Sequence, residues 1–258
     1  MLDHALSFQG LQELTFEHES YYGPLQGFQP IHHNTLKYLR CSGLSLESLT
    51  LPALESLTVV DYGEYQVKDD YLGISWADNM TALIRRSKCR LTNLHILAAC
   101  VVQEEHTYTE LLPLVAPTLA VLEIAPHRYP EAEQIARSLT RTESSPGSLP
   151  YLKHLNVSPM NLAPQKCHNG ADAFVDALAT ALISLCDRPL AERWHVSLLE
   201  RVSINHRNDP MVVKMRMSGL ESLRAHGLEV VYAPYNSIKP VEDAIVDWDT
   251  AWVDSNRR

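Results

Sequence analysis

Between Leu36 and Val59 the chain reads LKYLRCSGLSLESLTLPALESLTV, and one pattern occurs in it three times: Leu36-x-x-Leu39-x-Cys41, Leu46-x-x-Leu49-x-Leu51 and Leu54-x-x-Leu57-x-Val59. The last two apolar positions of each copy alternate with polar neighbours, which is the period of a strand with one buried face. The first leucine sits one turn further back and points into the same core. A pattern that recurs in this way is read as a repeat before any other fold is considered.

Further copies follow the same rule: Leu11-x-x-Leu14-x-Phe16, Leu91-x-x-Leu94-x-Ile96, Leu119-x-x-Leu122-x-Ile124, Leu152-x-x-Leu155-x-Val157 and Leu199-x-x-Val202-x-Ile204. Counting starts at Leu11, Leu36, Leu54, Leu91, Leu119, Leu152 and Leu199, the intervals are 25, 18, 37, 28, 33 and 47 residues. Leucine-rich repeats usually run ~20–29 residues, so the short interval reads as a compressed repeat and the long ones as insertions. LEVVY at 228–232 is the last strand expected.

Helical patterns lie between the later copies. Asp78 is placed to cap a helix through Met80, Leu83, Ile84 and Ser87, with Arg85, Arg86 and Lys88 suiting its negative end. Thr109 is placed to cap a second through Leu111, Leu112, Leu114 and Val115, ended by Pro117. Pro130 opens a third, with Ile135 and Leu139 on its apolar face. Residues 142–148, TESSPGS, read as a link, and residues 171–186 as a long helix carrying Phe174, Val175, Leu178, Leu182 and Leu185. A short helix through Ala191 and Trp194 follows, and another is expected from Asp209-Pro210 to His226-Gly227. Helix, link and strand in constant order require a parallel sheet covered on one face. The fold class expected is therefore α/β, a leucine-rich-repeat solenoid with parallel strands on the concave face and helices and loops on the convex face. It spans residues 1–235, and residues 236–258 are expected to form an acidic capping helix or tail over the open end, with a docking helix for a partner as the alternative.

The formal charge of −9, from 22 basic and 31 acidic residues, argues against nucleic acid or an anionic membrane as a partner. Five cysteines without close pairing read as reduced thiols, which places the chain in the cytoplasm or nucleus. No apolar run approaches the roughly 18 residues of a membrane helix. His32-His33 and Cys167-His168 invite a metal, yet no Cys-x-x-Cys or His-x-x-x-His pair accompanies them, so no metal or cofactor is expected. Cys167 and His168 are read as part of a loop. Phosphate-loop, dinucleotide and Gly-x-Ser-x-Gly motifs are also missing, and no catalytic residue is assigned.

The block from Leu36 to Val59, together with LIRRSKCRLTNLHIL, ELLPLVAPTLAVLEI, ADAFVDAL and the ending WDTAWVDSNRR, resembles the leucine-rich-repeat half of fungal F-box-like proteins. The resemblance implies the substrate-recognition repeats of a cullin-RING ubiquitin ligase subunit. Ten residues precede Leu11, without a Leu-Pro-led helical segment, so the chain reads as a fragment, a truncated product or a repeat-only relative. An adaptor of the ligase is expected as partner only if an F-box lies upstream. The alternative is a repeat-only scaffold unrelated to ubiquitination.

Positions alternating with the buried ones form the concave face, which suits a protein partner better than a small molecule. Aromatic, arginine and amide side chains are good interface anchors. Tyr38, Arg40, His95, His154, Asn156, Arg201 and Asn205 are the binding residues selected from that face. Glu13, Ser42, Asn93, Val121, Glu123 and Ser203 lie on it too.

Overall fold

In a computed structural model, the leucine copies become strands of one parallel sheet, with a single exception. The structure describes residues 9–16, 31–41, 46–61, 76–98, 107–125, 129–158, 168–206, 221–224 and 227–234. In chain order the elements are β1 (Glu13–Phe16), β2 (Ile31–His32), β3 (Tyr38–Cys41), β4 (Leu49–Thr50), β5 (Ser56–Asp61) and α1 (Trp76–Ser87). Then come β6 (Asn93–Ala98), α2 (Thr107–Val115), β7 (Val121–Ile124), α3 (Tyr129–Leu139), β8 (His154–Val157), α4 (His168–Leu185), α5 (Arg188–Trp194), β9 (Arg201–His206), α6 (Glu221–Arg224) and β10 (Glu229–Pro234). Eight of the strands form one sheet in the order β1-β3-β5-β6-β7-β8-β9-β10. Every pairing in it is parallel.

Register explains why the motif repeats. Leu14, Leu39, Leu57, Leu94, Leu122, Leu155, Val202 and Val230 are successive partners across all eight strands. Two places on, Phe16, Cys41, Val59, Ile96, Ile124, Val157 and Ile204 make a second row. Both rows join Met80, Leu83, Leu111, Leu112, Ile135, Phe174, Leu178 and Leu182 of the helices in one apolar cluster. The helices therefore cover the leucine face. Each buried leucine contributes roughly 1.5–3 kcal/mol relative to exposure, so the row stabilises sheet and helices together.

A second device holds the copies in step. The carbonyls of Gln12, Lys37, Glu55, Thr92, Ala120 and Lys153 each accept two backbone N–H groups from the next copy, at 2.8–3.1 Å. Thr35 Oγ1 donates to the Leu11 carbonyl at 3.0 Å, and Thr118 Oγ1 does the same to Leu91 at 2.6 Å. In both cases the threonine immediately precedes the first leucine of its own copy.

The exception is the copy at Leu46. Its three leucines are buried to 1% exposure or less, as the pattern demands. Yet β4 pairs with β2 in a separate two-stranded sheet and does not enter the large one. Consequently, among the described residues, β3 and β5 are each preceded by a short strand and the later strands of the large sheet by helices. The intervals follow this difference: among the described residues the two shortest, 25 and 18 residues, span β2 and β4, while 37, 28 and 33 span one helix each and 47 spans α4 and α5. A two-residue strand uses less chain than a helix.

The change from strand to helix in the outer layer is made at the end of α1. Arg86 donates to the carbonyls of Leu46 and Leu49, and Ser87 Oγ accepts from Leu51 N–H at 2.8 Å. Several starts also differ from expectation. Asp78 and Thr109 lie inside the first turns of α1 and α2, and do not precede them. There Asp78 acts on the positive helix end. His168 is the first residue of α4 and does not belong to a loop. Asp187 caps α5 by accepting from Leu190 N–H at 2.9 Å. The helix expected from Asp209 is described only over α6, and the tail beyond residue 234, with the boundary at 235, lies outside the described residues. No helix among the described residues is long and apolar enough to cross a membrane.

Candidate functional site

Side chains alternating with the leucine rows emerge on the opposite face of the sheet. In register, one row runs Glu13, Tyr38, Ser56, Asn93, Val121, His154, Arg201, Glu229. The other runs Thr15, Arg40, Thr58, His95, Glu123, Asn156, Ser203, Val231. Strand geometry alone fixes these positions, because side chains two apart share a face.

The selected residues divide between the rows. Tyr38, His154 and Arg201 stand in the first, and Arg40, His95 and Asn156 in the second. Asn205 belongs to β9, but its side chain lies outside the described residues. Tyr38 is 44% exposed, the only large aromatic of the two rows among the described residues. His154 and Arg201 are register partners on neighbouring strands. Arg201 Nε lies 3.8 Å from Glu229 Oε2, and His154 Nε2 lies 3.7 Å from Glu200 Oε2.

Charges along the entry edge of the sheet are paired. Lys37 Nζ meets Glu55 at 2.9 Å, and Lys153 Nζ meets Glu200 at 2.9 Å. The hydrogen bond to Glu55 holds the Lys37 ammonium above its usual range, and the hydrogen bond from Lys153 holds the Glu200 carboxyl below its own.

Within the rows, His95 Nδ1 lies 2.7 Å from Glu123 Oε2. With the carboxylate ionised, which leaves it no proton to give, Nδ1 is the donor of this bond. Both side chains are mostly withdrawn from water, at 25% and 15% exposure. Sequence reasoning placed Glu123 on this face without selecting it. The signal was there: His95 and Glu123 each stand four residues after the first leucine of their copy, so a parallel register sets them side by side.

The rest of the surface offers less chemistry. A cleft of about 450 Å³ is lined by Lys153, Arg188, Glu192, His195 and Glu200, and a smaller one of about 150 Å³ by Tyr108, Leu112, Ile135 and Ser138. Neither is lined by a residue of the two rows. Among the described residues no three His, Cys, Asp or Glu side chains are gathered to hold a metal. His33 is buried, with Nδ1 accepting from Leu36 N–H at 3.1 Å, while His32 is exposed. Burial pushes the Cys41 thiol up to about 12 and those of Cys89 and Cys186 to about 11, which keeps them protonated and poorly nucleophilic. What the polar face can do is donate and accept hydrogen bonds, present charge and stack an aromatic ring over an area several strands wide.

No family model, no curated protein and no solved structure matches this chain.

Proposed function

We propose that the chain is a leucine-rich-repeat solenoid whose concave face is the polar face of the large sheet, and that this face binds a protein without catalysing a reaction. The observation that carries the reading is the continuity of the two polar rows across eight strands in one register. At about 4.8 Å per strand such a face is on the order of 35 Å long, the scale of a protein interface and not of a small-molecule pocket. Tyr38, Arg40, His95, His154, Asn156, Arg201 and Asn205 are the proposed contact residues.

Within that reading, the resemblance to F-box-like proteins assigns the chain to substrate recognition in a cullin-RING ubiquitin ligase. The full-length gene product supplies the test. It is compared in cells with a variant carrying Tyr38→Ala, His154→Ala and Arg201→Ala. The expected result is a protein retained by the wild type and lost about tenfold or more with the variant. Adaptor and cullin should co-purify, and the captured protein should accumulate when cullin neddylation is blocked. Capture that depends on the face without any cullin would favour a scaffold unrelated to ubiquitination. Absence of any capture that depends on these residues overturns the binding reading itself.

A further inference from the structure

We propose that the His95–Glu123 pair selects a basic side chain, lysine or arginine, in the protein that docks on the polar face. This rests on the binding reading above and adds the chemistry of the partner. The pair belongs to β6 and β7, the fourth and fifth of eight strands. Anchors that dominate an interface gather near its centre, where water is most completely excluded.

Charge accounting sets the occupant. Arg201 is drawn towards Glu229 at 3.8 Å, and Lys37 and Lys153 at the entry edge are engaged by Glu55 and Glu200. Arg40 stands three strands from Glu123, ~14 Å away in the sheet. Glu123 is the acidic side chain of the two rows drawn furthest from water, at 15% exposure, and the described partner of its carboxylate is an imidazole. A surface that closed over it with apolar or acidic groups would strand that charge away from water, which is costly. A cation in the partner recovers the loss and gains a charge-assisted hydrogen bond. Val121, two residues before Glu123 on the same face, and Leu97, two residues after His95, supply apolar surface for the aliphatic stem of lysine or arginine.

The test presents the purified full chain with an immobilised peptide library in which each position in turn is fixed as Arg, Lys, Leu, Ala or Glu and the others are randomised. Wild type should enrich Arg or Lys over Leu about tenfold at one position. Glu123→Gln, which keeps size and hydrogen-bond acceptor, should lose that enrichment and keep preferences at other positions. Glu13→Gln, the same change in charge at the sheet edge, should leave it intact. Glu123→Asp supplies a charge-retaining variant should the amide disturb folding, and it should preserve part of the enrichment. Peptides that depend on Tyr38 and Arg201 but show no basic preference, or a preference that survives Glu123→Gln, overturn this proposal alone. If no peptide is enriched over the Tyr38→Ala, Arg201→Ala variant, the binding reading and this proposal fall together.

Discussion

Arg86 donates to the Leu49 carbonyl from two nitrogens, Nε at 3.0 Å and Nη2 at 2.6 Å, while Nη2 also reaches Leu46 at 3.0 Å. One side chain of α1 thus meets the edge of β4 that faces away from its described partner β2. Arg86→Met should cost about 1–3 kcal/mol in urea unfolding, because two carbonyls lose a charged donor. Arg86→Lys should recover less than half of that, since an ammonium has no planar fork to span both oxygens. A loss below about 0.5 kcal/mol with Met would mean that water serves those carbonyls as well.

A second arginine should behave in the opposite way. Arg141 is 2% exposed, and its Nε has no partner. Its other nitrogens reach the Leu185 and Pro150 carbonyls only at 3.3 Å. Both oxygens also accept main-chain N–H groups, from Leu199 at 3.1 Å and Ser197 at 2.9 Å. Replacing such a group with an apolar one of similar length removes a buried charge and orphans nothing. Arg141→Met should leave stability unchanged or raise it by up to about 2 kcal/mol. A fall of more than about 1 kcal/mol in chemical unfolding would show that the guanidinium secures the turn after α3.

Alkaline conditions should weaken the fold through Cys41. Burial raises its thiol from 9.0 to about 12 in the folded chain, whereas an unfolded thiol titrates near ~8.5. The folded state keeps a proton that the unfolded state gives up, so this contribution is complete below the lower value and is lost as pH climbs towards the upper one. Between about pH 9 and about pH 10.5 the loss should be on the order of 2 kcal/mol. Urea titrations of wild type and Cys41→Ala at those two values decide it: the variant should show a shallower decline, and equal slopes would remove the thiol as the cause.

Two glycines with positive φ give a paired comparison. Gly147, φ 77°, would set an added Cβ 2.7 Å from the Leu139 carbonyl oxygen, whereas Gly227, φ 89°, has nothing within 4 Å. Gly227→Ala should cost about 1–2 kcal/mol, from backbone strain alone. Gly147→Ala should cost clearly more, roughly 2–4 kcal/mol, because the obstacle is main chain and cannot rotate away. Thermal melts that rank the two variants in reverse order would contradict this local geometry.

The large sheet was legible because its register is carried by the same leucine in each copy, from Leu14 through Leu39, Leu57, Leu94, Leu122 and Leu155 to Val202. Leu46, Leu49 and Leu51 show the limit of that signal. Alternation dictates which side chains are hidden, and all three are, but it does not say which strand will be the neighbour. Helix starts were displaced by three residues for a similar reason: Asp78 and Thr109 suit a cap by residue type, yet the helices begin at Trp76 and Thr107. On the polar face, the row assignments of Tyr38, Arg40, His95, His154, Asn156 and Arg201 followed from the period of two. The His95–Glu123 contact needed one further step, laying one copy over the next and asking what faces what.

The paired N–H groups that meet at Gln12, Lys37, Glu55, Thr92, Ala120 and Lys153 make each of those carbonyls a natural splice point. The chain between copies varies in length, as start-to-start intervals of 18 and of 47 residues show, while the joint stays the same. A sheet joined in this way accommodates unequal lengths of chain between its strands while every strand still brings two side chains to the polar face.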